Sequence, residues 1–298
     1  MKYEVVLADL PPGEGPVWCA DGSLVITHLA PGCLRRIWPD RGRHEIAAQT
    51  GGGANSAWPA SDGGFVVTQN GGMDFSVFAD ALGIDVSKVP YQPAISGLQR
   101  VLPSGEVRYL ADHGFHAPND LAVADDDTLY FSDPPHLAGA DLGSGSADGR
   151  VWALPRGGEL RCIAAGFQYP NGVALSPEGR LLVVEKQGLL WLDPASGAQE
   201  WFVEQLPGSS PGDGLCYDSA GRLYLACPMD HCIRVLDERG RQQEQIDLGP
   251  KAYPTNCCLG GAGGRTLFTT ELAPGRVCAV ENLPAPALPL RPWQVPAR

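Results

Sequence analysis

Positive charge is scarce in this sequence. Its 22 Lys and Arg stand against 34 Asp and Glu, a formal net charge of −12, and no segment gathers basic residues into a stripe. A nucleic-acid partner is excluded on that ground, because a phosphate backbone needs a positive face that releases counterions. An anionic membrane surface is disfavoured for the same reason. No run of 18 apolar residues occurs, so no membrane-spanning helix is expected. Residues Met1 to Asp9 lack the apolar region of a secretory signal, and a cytoplasmic location is the expectation. No G-x-S-x-G elbow surrounds Ser132, Ser209 or Ser210, which leaves a nucleophilic serine triad unsupported. The glycine runs at Gly51–Gly53 and Gly260–Gly261 precede no helical pattern, so neither reads as a phosphate loop.

Nine cysteines are present, an odd number at irregular spacing, with Cys257 and Cys258 adjacent. Buried free thiols are the default reading. Cys227, His231 and Cys232 could begin a zinc site, but no second pair completes it.

What the chain has in quantity is glycine and proline, 38 and 27 of 298 residues, beside a hydrophobic fraction of 44%. Both residues are poor in helix interiors and at home between short strands. One element recurs six times, a Gly- or Asp-containing turn followed by an alternating apolar strand. The copies are Asp21–Thr27, Asp62–Thr68, Asp126–Ser132, Glu178–Val184, Ala220–Ala226 and Gly263–Thr269. Successive turns lie 42, 63, 52, 42 and 43 residues apart. A unit of roughly 40–50 residues is one four-stranded propeller blade. The sequence therefore predicts an all-β, six-bladed β-propeller of four-stranded blades, one domain over residues 1–298. The long interval holds an insertion at 71–97, expected as an ordered lid. Ring closure is expected from Tyr3–Leu7 pairing near Arg276–Val280.

Eight residues before the turn lie Glu14, Asn119, Asn171, Asp213 and Asn256, and nine before the remaining one lies Asn55. In a propeller, equivalent strand starts converge on the central channel. Two carboxylates with several amide carbonyls make an all-oxygen cage suited to a hard divalent cation. Taken singly, each Asn or Asp is also an ordinary turn residue.

At this point the chain resembles a known family, the senescence marker protein, gluconolactonase and luciferin-regenerating enzyme group. The resemblance rests on Glu14-Gly15-Pro16-Val17-Trp18, Pro118-Asn119-Asp120-Leu121, Tyr130-Phe131-Ser132-Asp133-Pro134-Pro135, Pro170-Asn171-Gly172-Val173, Gly212-Asp213-Gly214 and Pro254-Thr255-Asn256-Cys257. It implies Glu14, Asn119, Asn171 and Asp213 as ligands of one divalent metal ion, Ca²⁺ ahead of Mg²⁺, Mn²⁺ or Zn²⁺. It also implies a lactonase that opens a small lactone with activated water, Asp213 accepting the proton. Two departures stand out: Ala117 occupies a place where sugar lactonases of the family often carry Arg, and Lys186 follows Glu185 where a small residue is common.

His116, beside a ligand motif, is expected as a proton shuttle or a carboxylate contact, with a surface-loop role equally open. Asn119 joins Asp213 and His116 as the expected catalytic set. Asn55, His28, His136, Asn256 and Glu185 are expected on the substrate, and Trp18, Trp58, Phe115 and Tyr169 as an apolar rim. With no Arg at 117, the expected partner is a small-molecule lactone less hydrophilic than gluconolactone. A phosphoester hydrolase, a non-hydrolytic enzyme on the same cage, and a binding propeller with a structural metal remain open, as does oligomeric state.

Overall fold

Each repeated turn is the bend of a β-hairpin. Gly22, Gly179 and Gly221 sit at φ of 80°, 78° and 79°, left-handed backbone that is costly for a residue bearing a Cβ. The computed structural model describes residues 1–136 and 147–296. Among these, 24 strands form six antiparallel sheets of four, one per repeat. The blades cover residues 13–49, 54–111, 121–167, 170–203, 215–247 and 254–280. The sixth is completed by the N-terminal strand Glu4–Leu7, which pairs antiparallel with Val277–Val280 (Glu4 opposite Ala279), so the ring closes as expected. The expected single domain includes residues 137–146, 297 and 298, which lie outside the described residues.

The first strands of neighbouring blades touch one another around the ring and surround the axis. The core is not central. It is a series of apolar wedges between adjacent blades, such as Leu182, Leu189, Leu215, Leu223 and Leu225 between the fourth and fifth. Strand alternation explains this, since each sheet presents one face to each neighbour. The outermost strands are polar and exposed, as in Arg43–Gln49.

Residues 71–97 join Phe65–Gln69 to Gly97–Val101 within the second blade. They carry short turns and one small helix, Ala79–Leu82. Phe75 is 1% exposed and packs with Val89 against Leu29 and Ala30 of the first blade, with Leu272 of the sixth also in contact. The insertion thus leans over two blades besides its own. Phe75→Ala is expected to release this cap at a cost of about 3 kcal/mol, charged to docking rather than to the ring. Limited proteolysis should then cut within 71–97 while the main thermal transition stays put. Joint collapse of both would mean the segment is part of a blade.

After the last blade, the chain crosses the opposite end of the channel. Ser219 N–H donates to Pro286 O (2.8 Å), and Trp293, 2% exposed, exchanges backbone bonds with Pro59 and Ser61 of the second blade. This tail closes over a cavity of about 650 Å³ whose walls include Trp18, Trp58, Cys216 and Leu288. Trp18 and Trp58 therefore face away from the end covered by the 71–97 segment.

Candidate active site

The six axial residues start or precede the innermost strands. Glu14, Asn55, Asn171 and Asn256 lie at the beginnings of Gly13–Trp18, Ala54–Pro59, Pro170–Leu175 and Pro254–Gly260, while Asn119 and Asp213 precede Leu121–Val123 and Leu215–Tyr217. Pairing slips near these residues, between Glu14 and Val17, Ala54 and Ala57, and Pro170 and Val173. Such bulges re-aim a side chain out of the ladder, here toward the channel. Glycine follows three of the six for a steric reason. A Cβ on Gly172 would lie 2.4 Å from Asp213 O, and one on Gly214 1.9 Å from the Asn256 side chain, so only glycine lets the inner strands converge this tightly.

Hydroxyls from second strands fix the axial backbone. Thr27 Oγ1 donates to Asn55 O (2.5 Å), and Thr68 and Ser132 donate to the carbonyls of Asn119 and Asn171. The main-chain oxygens are thereby satisfied, and the side chains are left for the channel.

Five of the six axial residues are buried, and Asp213 is partly so. Glu14 Oε2 accepts from Gly15 N–H (2.8 Å) and Asn256 Nδ2 (3.2 Å). Its carboxyl is nonetheless held well above the ordinary range, first by burial and then by the charge of Asp213. Asp213 is raised as well, by burial and by Asp120, with the Asn171 side chain opposing the shift. The Oδ1 atoms of Asn55 and Asn171 are buried with no hydrogen-bond partner. Repelling carboxylates beside orphaned amide oxygens form a set that one hard cation would satisfy at once. The donor set fits.

Asp120 is a third buried carboxylate, which the sequence reading quoted in a motif without assigning it a role. It accepts from Leu121 N–H (3.1 Å) and Val173 N–H (3.3 Å), tying the third and fourth blades, and burial pushes its pKa up to about 6. Only its place beside Asn119 could have flagged it.

Above the cage is a pocket of about 120 Å³ walled by Asn55, Asn119, Tyr169, His136 and, from the insertion, Met73 and Phe78. Tyr169 joins pocket and cage, since burial and then the charges of Asp213 and Glu14 raise its phenol. Asn70 and Asp74 also line this space and were not anticipated.

Several expected substrate residues are placed elsewhere. His28 is fully buried; its Nδ1 donates to Pro11 O (3.1 Å), and its Nε2 accepts from Arg35 Nε (3.0 Å). Glu185 accepts the Gln168 N–H (2.8 Å) and the Tyr169 N–H (3.3 Å). Both clamp the chain where it enters their own blade, as Asp133 does for the His116 and Ala117 N–H groups (2.9 and 2.8 Å). Asn256 serves Glu14 and not the pocket. Of the expected aromatic rim, only Tyr169 lines the pocket. Trp18 stacks on Phe268 at 5.1 Å, and Phe115 packs against Phe131 and Trp152. All nine cysteines are free thiols, the default reading, and Cys227, His231 and Cys232 belong to no group of three His, Cys, Asp or Glu placed to hold a metal among the described residues. His231 Nδ1 is instead bonded to Ala252 O at 2.6 Å.

Burial and the Arg35 charge lower the His28 pKa to about 4. An unfolded His binds a proton below about 6.5, so between 6.5 and 4 the unfolded state holds more protons and stability falls with acidification. Wild type should lose about 3 kcal/mol over that window relative to His28→Asn. Parallel urea titrations of the two proteins at pH 7 and pH 4 test it, and equal losses would contradict the buried neutral imidazole.

A gluconolactonase of Zymomonas mobilis is 28% identical over 292 residues, covering 89% of this chain and 77% of that protein. The pentonolactonase XacC of Haloferax volcanii is 23% identical over 271 residues, covering 87% and 80%. A calcium-binding regucalcin from Agrobacterium tumefaciens shares the fold, with a TM-score of 0.75 at 15% identity over 98% of this chain and 97% of that one. Residues 12–273 match the family model described as the SMP-30/Gluconolactonase/LRE-like region, and with that extent of agreement the chain belongs to this family.

Proposed function

We propose that this protein is a divalent-cation-dependent lactonase acting on a small lactone. The observation that carries the reading is the cage itself: Glu14 raised by burial and the charge of Asp213, and Asp213 by burial and Asp120, beside the unpartnered Asn171 Oδ1, with Asn55 and Asn119 of the same axial set lining a small pocket. Lactonases among the relatives support the reaction class. Glu14, Asn119, Asn171 and Asp213 would hold the ion, with Ca²⁺ preferred for an all-oxygen set. When bound, such an ion polarises an ester carbonyl and makes water more acidic.

The remaining work falls to the chain. Asn119 lines the pocket and positions the lactone carbonyl over the cage. Asp213 accepts the proton of the attacking water. Water oxygen adds to the carbonyl carbon, the ring C–O bond breaks, and the alkoxide takes up a proton to give a hydroxy acid. Tyr169, Met73 and Phe78 keep bulk water from the carbonyl.

His116 is not suited to be the base. A guanidinium only donates, so the Arg150 Nη2 against His116 Nε2 leaves the ring proton on Nδ1, and the imidazole is a committed donor. A panel of sugar, alkyl and aryl lactones, followed by acid release with Ca²⁺, Mg²⁺, Mn²⁺ or Zn²⁺, tests the reading. Metal-dependent opening of at least one is expected. Turnover of phosphoesters and of no lactone would replace it.

A further inference from the structure

Opening a lactone drives an electron pair onto its ring oxygen, and an aliphatic alkoxide leaves poorly unless a hydrogen-bond donor meets it. Such a donor must stand on the pocket side of the cage and have no other partner. The fourth blade carries a residue of this kind. Its inner strand Pro170–Leu175 runs from the pocket toward the opposite end of the channel: Tyr169 lines the pocket, while Val173, Ala174 and Leu175 line the large cavity under the C-terminal tail. Asn171, a cage residue, lies between them. At roughly 3.3 Å of rise per residue, Tyr169 therefore starts about 7 Å above the level of the cage.

Its backbone is held at both polar groups. The N–H donates to Glu185 Oε2 (3.3 Å), and the carbonyl accepts the Lys186 N–H (3.4 Å). Among the described residues these main-chain contacts are its hydrogen bonds, and the hydroxyl of this half-buried side chain bonds to none of them. The other donors that line the pocket have different positions around the ring. Asn55 and Asn70 come from the second blade, with Asn70 Oδ1 turned back to accept the Gly72 N–H (3.0 Å), and His136 follows the second strand of the third. The inner strand of the fourth blade touches those of the third and fifth. Tyr169 thus enters the pocket between the blade of Asn119, which meets the carbonyl, and the blade of Asp213, which meets the water.

We propose that the Tyr169 hydroxyl is the hydrogen-bond donor to the lactone's ring oxygen as the ring opens. This rests on the lactonase reading and adds a catalytic residue to it. Water oxygen bonds to the carbonyl carbon, the ring C–O bond breaks, and its electron pair moves onto the ring oxygen against the Tyr169 O–H. The proton that Asp213 took from the water completes the new hydroxyl, and Tyr169 keeps its own. A donor fixed at this point favours lactones of aliphatic alcohols, whose alkoxides most need it. It gives little advantage where the leaving atom is a weak hydrogen-bond acceptor such as sulfur.

The test is Tyr169→Phe, which removes one oxygen and keeps the ring, assayed in the cation-loaded protein on two substrates that differ in one atom. They are the alkyl or sugar lactone opened fastest by wild type and the thiolactone of the same ring. The variant should lose on the order of 10²-fold in kcat on the oxygen lactone and less than about five-fold on the thiolactone. Its affinity for Ca²⁺ by calorimetry should match that of wild type. Equal losses on the two substrates, or no loss on either, would overturn the proposal, because a packing role moves both together. Weakened Ca²⁺ binding would overturn it too, by placing the hydroxyl at the cage. Wild type that opens aryl lactones alone would rule out a donor for alkoxides. Wild type that opens no lactone ends the lactonase reading and the donor with it, whereas failure of the donor alone is read in an active wild type.

Discussion

Asp213→Asn is expected to lower kcat/KM on the best lactone by on the order of 10³-fold, the usual cost of losing a positioned general base. The substitution preserves shape and an oxygen donor, so the cage should persist with weaker affinity. Asp213 is suited to the proton because it is the least enclosed of the axial residues and is already raised by burial and by Asp120. Activity should fall in kcat more than in KM, because the interaction is made as the water attacks. Measurement at saturating cation separates this loss from weakened binding. An Asp213→Asn protein with full turnover would assign the base elsewhere.

Glu14→Gln should act on the ion instead. Its carboxylate is the more deeply buried of the pair. Without a cation, wild type carries the mutual repulsion of Glu14 and Asp213 through the folded state. At a cation concentration 100 times Kd, binding contributes about 2.7 kcal/mol, or roughly 5–10 °C in Tm for a domain of this size. That cation-induced shift should nearly vanish in Glu14→Gln, while its Tm in chelator should equal or exceed that of wild type. A full-sized shift in the variant would remove Glu14 from the cage.

The blades were legible because their signals are local. A turn glycine at positive φ and an alternating strand stand within seven residues of each other, as at Asp21–Thr27. The axis was legible for a related reason, since a fixed step of eight or nine residues connects each turn to its inner strand start. The clamps were not. His28 and Glu185 lie at or next to the ends of their strands as a solvated or substrate-facing residue would, and only the backbone that meets them, Pro11 or Gln168, shows their task. The aromatic rim failed on direction: Trp18 follows Glu14 by four residues, and over that distance the inner strand has already left the pocket for the opposite end of the channel. Arg150 and His116 are 34 residues apart, and no pattern in the chain announces their contact.

The most direct measurement is titration calorimetry of the chelator-treated protein with Ca²⁺, run beside a lactone assay on the same samples. The cage account predicts one site per chain, lost together with lactone opening on chelation and regained together on adding the ion back. A protein that opens the lactone at full rate with no ion bound would contradict it.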